Sequence, residues 1–119
     1  MRVPVSFVDY FSDLFDEVKS VMISRQGSYG PLNVENLGPM GVFSRMSMDK
    51  MGRVARSLNG RIVDGQVELE DGWYTTEVHD ALVDTMNYAA IMIALGQGKW
   101  SPIARGEPHH TSACACGQC

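Results

Sequence analysis

Between Thr76 and Gly98 the chain carries no lysine or arginine, yet it holds Glu77, Asp80 and Asp84 in a run otherwise rich in Val, Leu, Ile, Met and Ala. Wound as an α-helix at about 100° per residue, Glu77, Asp80, Asp84 and Asn87 share an arc of roughly 80°, and the same arc turns apolar at Ile91 and Leu95. Val78, Leu82, Val83, Met86, Ala89, Ala90, Ile93 and Ala94 occupy most of the remaining circumference. A helix apolar nearly all round is usually buried, so these acids are expected beside packed surface. Like charges one turn apart repel, and Asp is a poor helix-interior residue. The acids therefore call for a positive partner from elsewhere: Arg45, Lys50 or Arg53, or a metal ion. The competing reading is a solvated polar face, on which Glu77 and Asp80 favour the positive end of the helix dipole.

Two further helices are expected. Phe7, Tyr10, Phe11, Leu14, Phe15, Val18, Val21 and Met22 recur at spacings of three and four, which lines one face of a helix over residues 6–25. Ser6 stands where a capping side chain would. The second helix, over residues 42–58, places Phe43, Met48, Met51, Val54, Ala55 and Leu58 on one face. Arg45, Asp49, Arg53 and Arg56 fall on the other, with Lys50 at its border. Between them Gly27, Gly30, Pro31, Gly38, Pro39 and Gly41 read as a long loop at 26–41, of the kind that is ordered when it lines a site. Asp64-Gly65 and Asp71-Gly72 flank short β-prone runs, so a small hairpin or irregular excursion is expected before the third helix at 75–95. The fold class is all-α: a bundle of three long helices with that insertion, spanning 1–98, followed by a tail at 99–119.

A chain of 119 residues makes one domain. Its net charge of −4 argues against a duplex nucleic-acid binder, which shows a basic footprint. No stretch approaches the roughly 20 apolar residues of a membrane span, and the N-terminus lacks the apolar core of a signal peptide. Cys114, Cys116 and Cys119 are the only cysteines. An odd, terminal set is no disulfide framework and suits a cytoplasmic protein. With His110 these thiols could bind Zn²⁺, although the spacing is not that of a standard knuckle and an open tail is the plainer reading.

Taken together, Ser28-Tyr29-Gly30 with Asn33, then Arg45 with Asp49-Lys50 and Arg53, then Glu77-x-x-Asp80-x-x-x-Asp84-x-x-Asn87-Tyr88-Ala89 resemble a phage and bacterial family. It is the nucleotide-modification-associated group related to the all-α nucleoside triphosphate pyrophosphohydrolases, the MazG and dimeric dUTPase clan. The resemblance covers residues 6–97 and is most specific from Asp80 to Ala89. It implies homodimers or homotetramers, Mg²⁺ (or Mn²⁺) held by carboxylates from two helices, and hydrolysis of a nucleoside triphosphate to a monophosphate and pyrophosphate. Glu77 and Asp80 match the clan's E-x-x-D motif and would be its catalytic and metal-binding pair, with Asp84 and Asp49 as further metal ligands. The preceding helix departs from the clan's E-x-x-E, offering only Asp49 and leaving Asp13, Asp16 or Glu17 as the alternative source.

Phosphate chemistry needs cationic donors, for which Lys50, Arg45 and Arg53 are the candidates. Tyr29 is placed to stack on a base, and Asn33 and Asn87 to read polar edges. The bland alternatives are solvated salt bridges for the cations and core packing for Tyr29. A nucleotide-binding or sensing module without catalysis, or a small helical interaction protein, fits the same residues.

Overall fold

The computed structural model describes residues 2–58, 60–69 and 71–107. Among the described residues the fold is all-α apart from one short strand pair. Helix α1 (Val5–Tyr29) leads through Gly30 into α2 (Pro31–Ser44), a π-helical turn (Arg45–Lys50) and α3 (Met51–Ser57). Strands β1 (Gly60–Val63) and β2 (Gln66–Leu69) follow, then α4 (Thr76–Gly96) and the short α5 (Trp100–Ala104).

The segment expected as a loop at 26–41 is helical instead. Two Gly-Pro steps explain the difference. A residue before proline is barred from the helical region. Gly30 (φ 74, ψ 174) and Gly38 (φ 66, ψ 176) take up a backbone conformation open essentially to glycine alone. Proline's fixed φ then suits the first turn of the next helix. Each pair breaks one helix and starts another, so the segment is helical on both sides of each break. Nothing lies within 4 Å of a Cβ placed on Gly38, so the cost of Gly38→Ala is conformational alone. Urea denaturation of that variant should show a loss of roughly 1–3 kcal/mol.

Other boundaries moved for local reasons. Helix α1 begins after Pro4, with no side-chain cap, and Ser6 lies inside it. Thr75 does cap α4, its hydroxyl accepting from the Val78 amide at 3.2 Å. Asp64 (φ 51) and Gly65 (φ 78) form the two-residue turn between β1 and β2, the primed geometry that matches strand twist.

The core is small. Val34 and Val42 of α2, Ile91 of α4 and Trp100 of α5 form its buried centre, with Met22, Leu37 and Leu95 packed around it. Trp100 carries the helical body past Gly98, into what reads in sequence as an aperiodic tail. Arg105 ties that end down, its two terminal nitrogens each 2.8 Å from one Glu35 oxygen. A hydrogen bond from Ser101 lowers the Glu35 pKa most; partial burial opposes it, and the hydrogen bond and charge of Arg105 lower it further. A carboxyl depressed below its ordinary 4.5 stabilises the fold above that value, and the contribution is lost as pH falls through the folded-state pKa. The melting-temperature advantage of wild type over Glu35→Gln should therefore hold at neutral pH and shrink once the pH drops below about 4.5.

The apolar row of α1 forms the expected helix, but only its C-terminal half reaches the core: Val18 is buried and Met22 packs on the core cluster, while the aromatic half stays outside. Phe7, Tyr10 and Phe15 are more than half exposed, although Phe7, Phe11 and Phe15 touch one another in series. Phe43, Met48 and Met51, expected to share a packed face, are also largely exposed. Nor is α4 buried all round: Ile93 is 62 % exposed and Leu82 36 %. A radius of gyration of 18.0 Å exceeds the roughly 13.5 Å of a compact domain this long. The chain alone leaves its N-terminal aromatic face uncovered. Near that end, His79 of α4 links α1 by hydrogen-bonding both Glu17 oxygens at 3.1 Å, and its other ring nitrogen meets the Tyr74 hydroxyl.

Candidate functional site

Three helical faces and one turn enclose a cavity of about 370 Å³. Helix α1 presents Met22, Arg25, Gln26 and Tyr29, and α4 presents Asp84, Asn87, Tyr88 and Ile91. Both sets follow the i, i+3, i+4, i+7 spacing of a single helical face. Asn33, Val34 and Leu37 of α2 form a third side.

The π-helical turn supplies the remaining residues, Arg45 and Lys50. In an α-helix, residues five apart point roughly 140° away from each other. The i→i+5 repeat of a π-helix brings them nearly into register. Met51 donates its amide to the Met46 carbonyl in that pattern, and the Ser47 hydroxyl bonds the Phe43 carbonyl at 2.8 Å. Both cations consequently face the same cavity. Winding the segment at 100° per residue hides this, because it puts Lys50 at the edge of the Arg45 face.

Asp84 sits at the bottom with its side chain 6 % exposed. Lys50 Nζ lies 3.2 Å from one carboxylate oxygen, and Arg25 contacts the other. A buried carboxylate needs such partners, because desolvating an isolated charge costs several kcal/mol. Lys50 also stands 3.7 Å from Asp49, which in turn pairs with Arg53 at 3.1 Å. Arg45 makes no ion pair among the described residues. Three cations thus face one carboxylate inside the cavity of a chain whose overall charge is −4.

The amide nitrogens of Asn87 and Gln26 line the same cavity, buried and without a hydrogen-bond partner among the described residues. Leaving such a donor unmade costs about 1–3 kcal/mol. Two of them stand beside three cations in the one cavity, where acceptor atoms would satisfy them.

Of the residues singled out in the sequence, Tyr29, Asn33, Arg45, Lys50, Asp84 and Asn87 come together around this cavity. Arg53 and Asp49 lie outside the lining and engage each other. Glu77 and Asp80 are exposed on the N-terminal turns of α4, Asp80 one turn and Glu77 two turns before Asp84. Among the described residues, no three acids, histidines or cysteines converge as metal ligands. Asp84 is committed to Arg25 and Lys50, so it does not fit a resident divalent cation. The tail residues Cys114, Cys116, Cys119 and His110 lie outside the described residues. Gln26 was missed because the first helix was expected to end at 25, and Arg25, at that helix end, was not among the cations considered as partners of the acids. Following the Met22–Arg25–Gln26–Tyr29 spacing one more turn would have found them.

No helix among the described residues is long and apolar enough to cross a membrane. The chain matches no family model, no curated protein and no solved structure.

Proposed function

We propose that this chain binds a nucleoside triphosphate or related nucleotide in the cavity between α1, α2, the π-helical turn and α4. The observation that carries the reading is the convergence of Arg25, Arg45 and Lys50 with two unpartnered amide donors in one pocket. Phosphate oxygens are strong acceptors with fixed negative charge, and arginine grips them bidentately. Tyr29, two-thirds exposed at the cavity edge, offers a ring face for a base, and Asn33 offers an amide to its polar edge. The volume falls within the range of small-molecule sites, about 300–1,000 Å³. Asp84 positions two of the cations and keeps them extended toward the ligand.

Hydrolysis of the triphosphate to a monophosphate and pyrophosphate is the second reading. It is favoured by the acidic ridge, which places Glu77 and Asp80 within two turns of Asp84. A panel of nucleoside and deoxynucleoside triphosphates with and without Mg²⁺ separates the two. Binding alone raises the melting temperature in proportion to the logarithm of ligand concentration. An enzyme also releases pyrophosphate, and Asp80→Asn abolishes that release. No stabilisation by any nucleotide would remove both readings.

Self-association accompanies either reading. The exposed Phe7, Phe11 and Phe15 row is the kind of apolar patch that marks an interface, and it supports a homodimer or homotetramer. Light scattering should return the mass of two or four chains, and Phe11→Glu should lower it to one.

A further inference from the structure

The charge lining the cavity is one-sided, three cations to one carboxylate. Arg25, Arg45, Lys50, the Gln26 amide and the Asn87 amide all present donors. The single carboxylate, Asp84, is ion-paired through both oxygens, with Lys50 and with Arg25, although its Oδ1 makes no hydrogen bond among the described residues. Mg²⁺ bound to a nucleotide requires the opposite surroundings. It takes one or two carboxylates beside the phosphate oxygens, and cations within a few ångströms repel it. Every phosphate oxygen that Mg²⁺ coordinates is also withdrawn from an N–H donor. Chelation further removes two negative charges from a polyphosphate, weakening its attraction to the three cations.

We infer that this cavity takes the polyphosphate as the free anion, with Arg25, Arg45 and Lys50 supplying the charge neutralisation that a divalent cation gives elsewhere. Mg²⁺ then competes with the protein for the phosphates. The inference rests on the nucleotide reading above and names which ionic form of the ligand binds.

Inorganic tripolyphosphate isolates the claim from the identity of the base. Titrated calorimetrically into the full chain in EDTA, it should bind measurably. The Kd should weaken at least tenfold when MgCl₂ exceeds the ligand at matched ionic strength, since ionic strength alone screens such contacts. Arg45→Met should weaken binding in EDTA while keeping the wild-type melting temperature. Equal or tighter binding in Mg²⁺ would overturn the inference. So would tripolyphosphate failing to bind in either buffer. Neither result disturbs the nucleotide reading, which stands or falls on the thermal panel: nucleotides that stabilise the chain only with Mg²⁺ keep the pocket and discard its metal independence.

Discussion

Asp84→Asn should lower the melting temperature by about 10–15 °C, the largest stability effect expected of any single polar substitution here. The side chains of Asp84 and Lys50 are only 6 % and 16 % exposed. Removing the negative partner leaves the ammonium beside Arg25 and Arg45 with only Asp49, 3.7 Å away and shared with Arg53, to neutralise it. Breaking a buried pair from one side costs roughly 3–5 kcal/mol. Arg25 is 46 % exposed and can turn toward water, so the lower end of that range, near 3 kcal/mol, is appropriate. Asp80→Asn is the control. Its side chain is exposed, and its melting temperature should stay within about 2 °C of wild type. Parallel thermal scans by circular dichroism decide the matter. If the two variants melt together, Asp84 is not the anchor described here.

Arg45→Met should produce the largest effect on ligand binding at the smallest cost in stability. Arg45 has no ion pair among the described residues, so its loss strands no buried charge. What disappears is a charge-assisted hydrogen bond to phosphate, worth about 1.5–3 kcal/mol. Taken at 2 kcal/mol, the nucleotide Kd should rise about 30-fold. Lys50→Met makes a poorer test, because it also leaves Asp84 short of a partner and confuses folding with binding. Calorimetric titration of Arg45→Met beside wild type measures the first effect, and a thermal scan establishes that the second is absent. A melting temperature that falls as far as that of Asp84→Asn would place Arg45 in the scaffold instead.

How much of this was legible in the residues depends on which interactions decide each feature. The demand of Asp84 for a cation was readable, because no lysine or arginine occurs between Thr76 and Gly98, and Lys50 was among the donors named. That Glu77 and Asp80 remain exposed was one of the two readings the spacing left open, as the solvated polar face. The same periodicity serves a buried ridge and a helix that emerges from its neighbours, and only tertiary placement separates them. The Gly-Pro steps at Gly30 and Gly38 were correctly seen as breaks. Proline, however, starts helices as readily as it ends them, and that second property decided the outcome. The π-helical turn left no pattern to find, since helical periodicity presumes the α repeat. It is nonetheless what aims Arg45 and Lys50 together. The aromatic row of α1 was legible as a helix face, but nothing in its spacing says whether the chain's own core or another surface covers it.

The central claim is that nucleotide phosphates enter the cationic cavity on the α1, π-turn and α4 side. Titrating a nucleoside triphosphate into isotopically labelled protein, and following side-chain amide and guanidinium resonances by NMR, tests it most directly. The account predicts the largest shifts at the Gln26 and Asn87 amides and at the Arg25 and Arg45 guanidinium groups. Saturating shifts confined to the exposed turns around Glu77 and Asp80, with those four resonances unmoved, would contradict it.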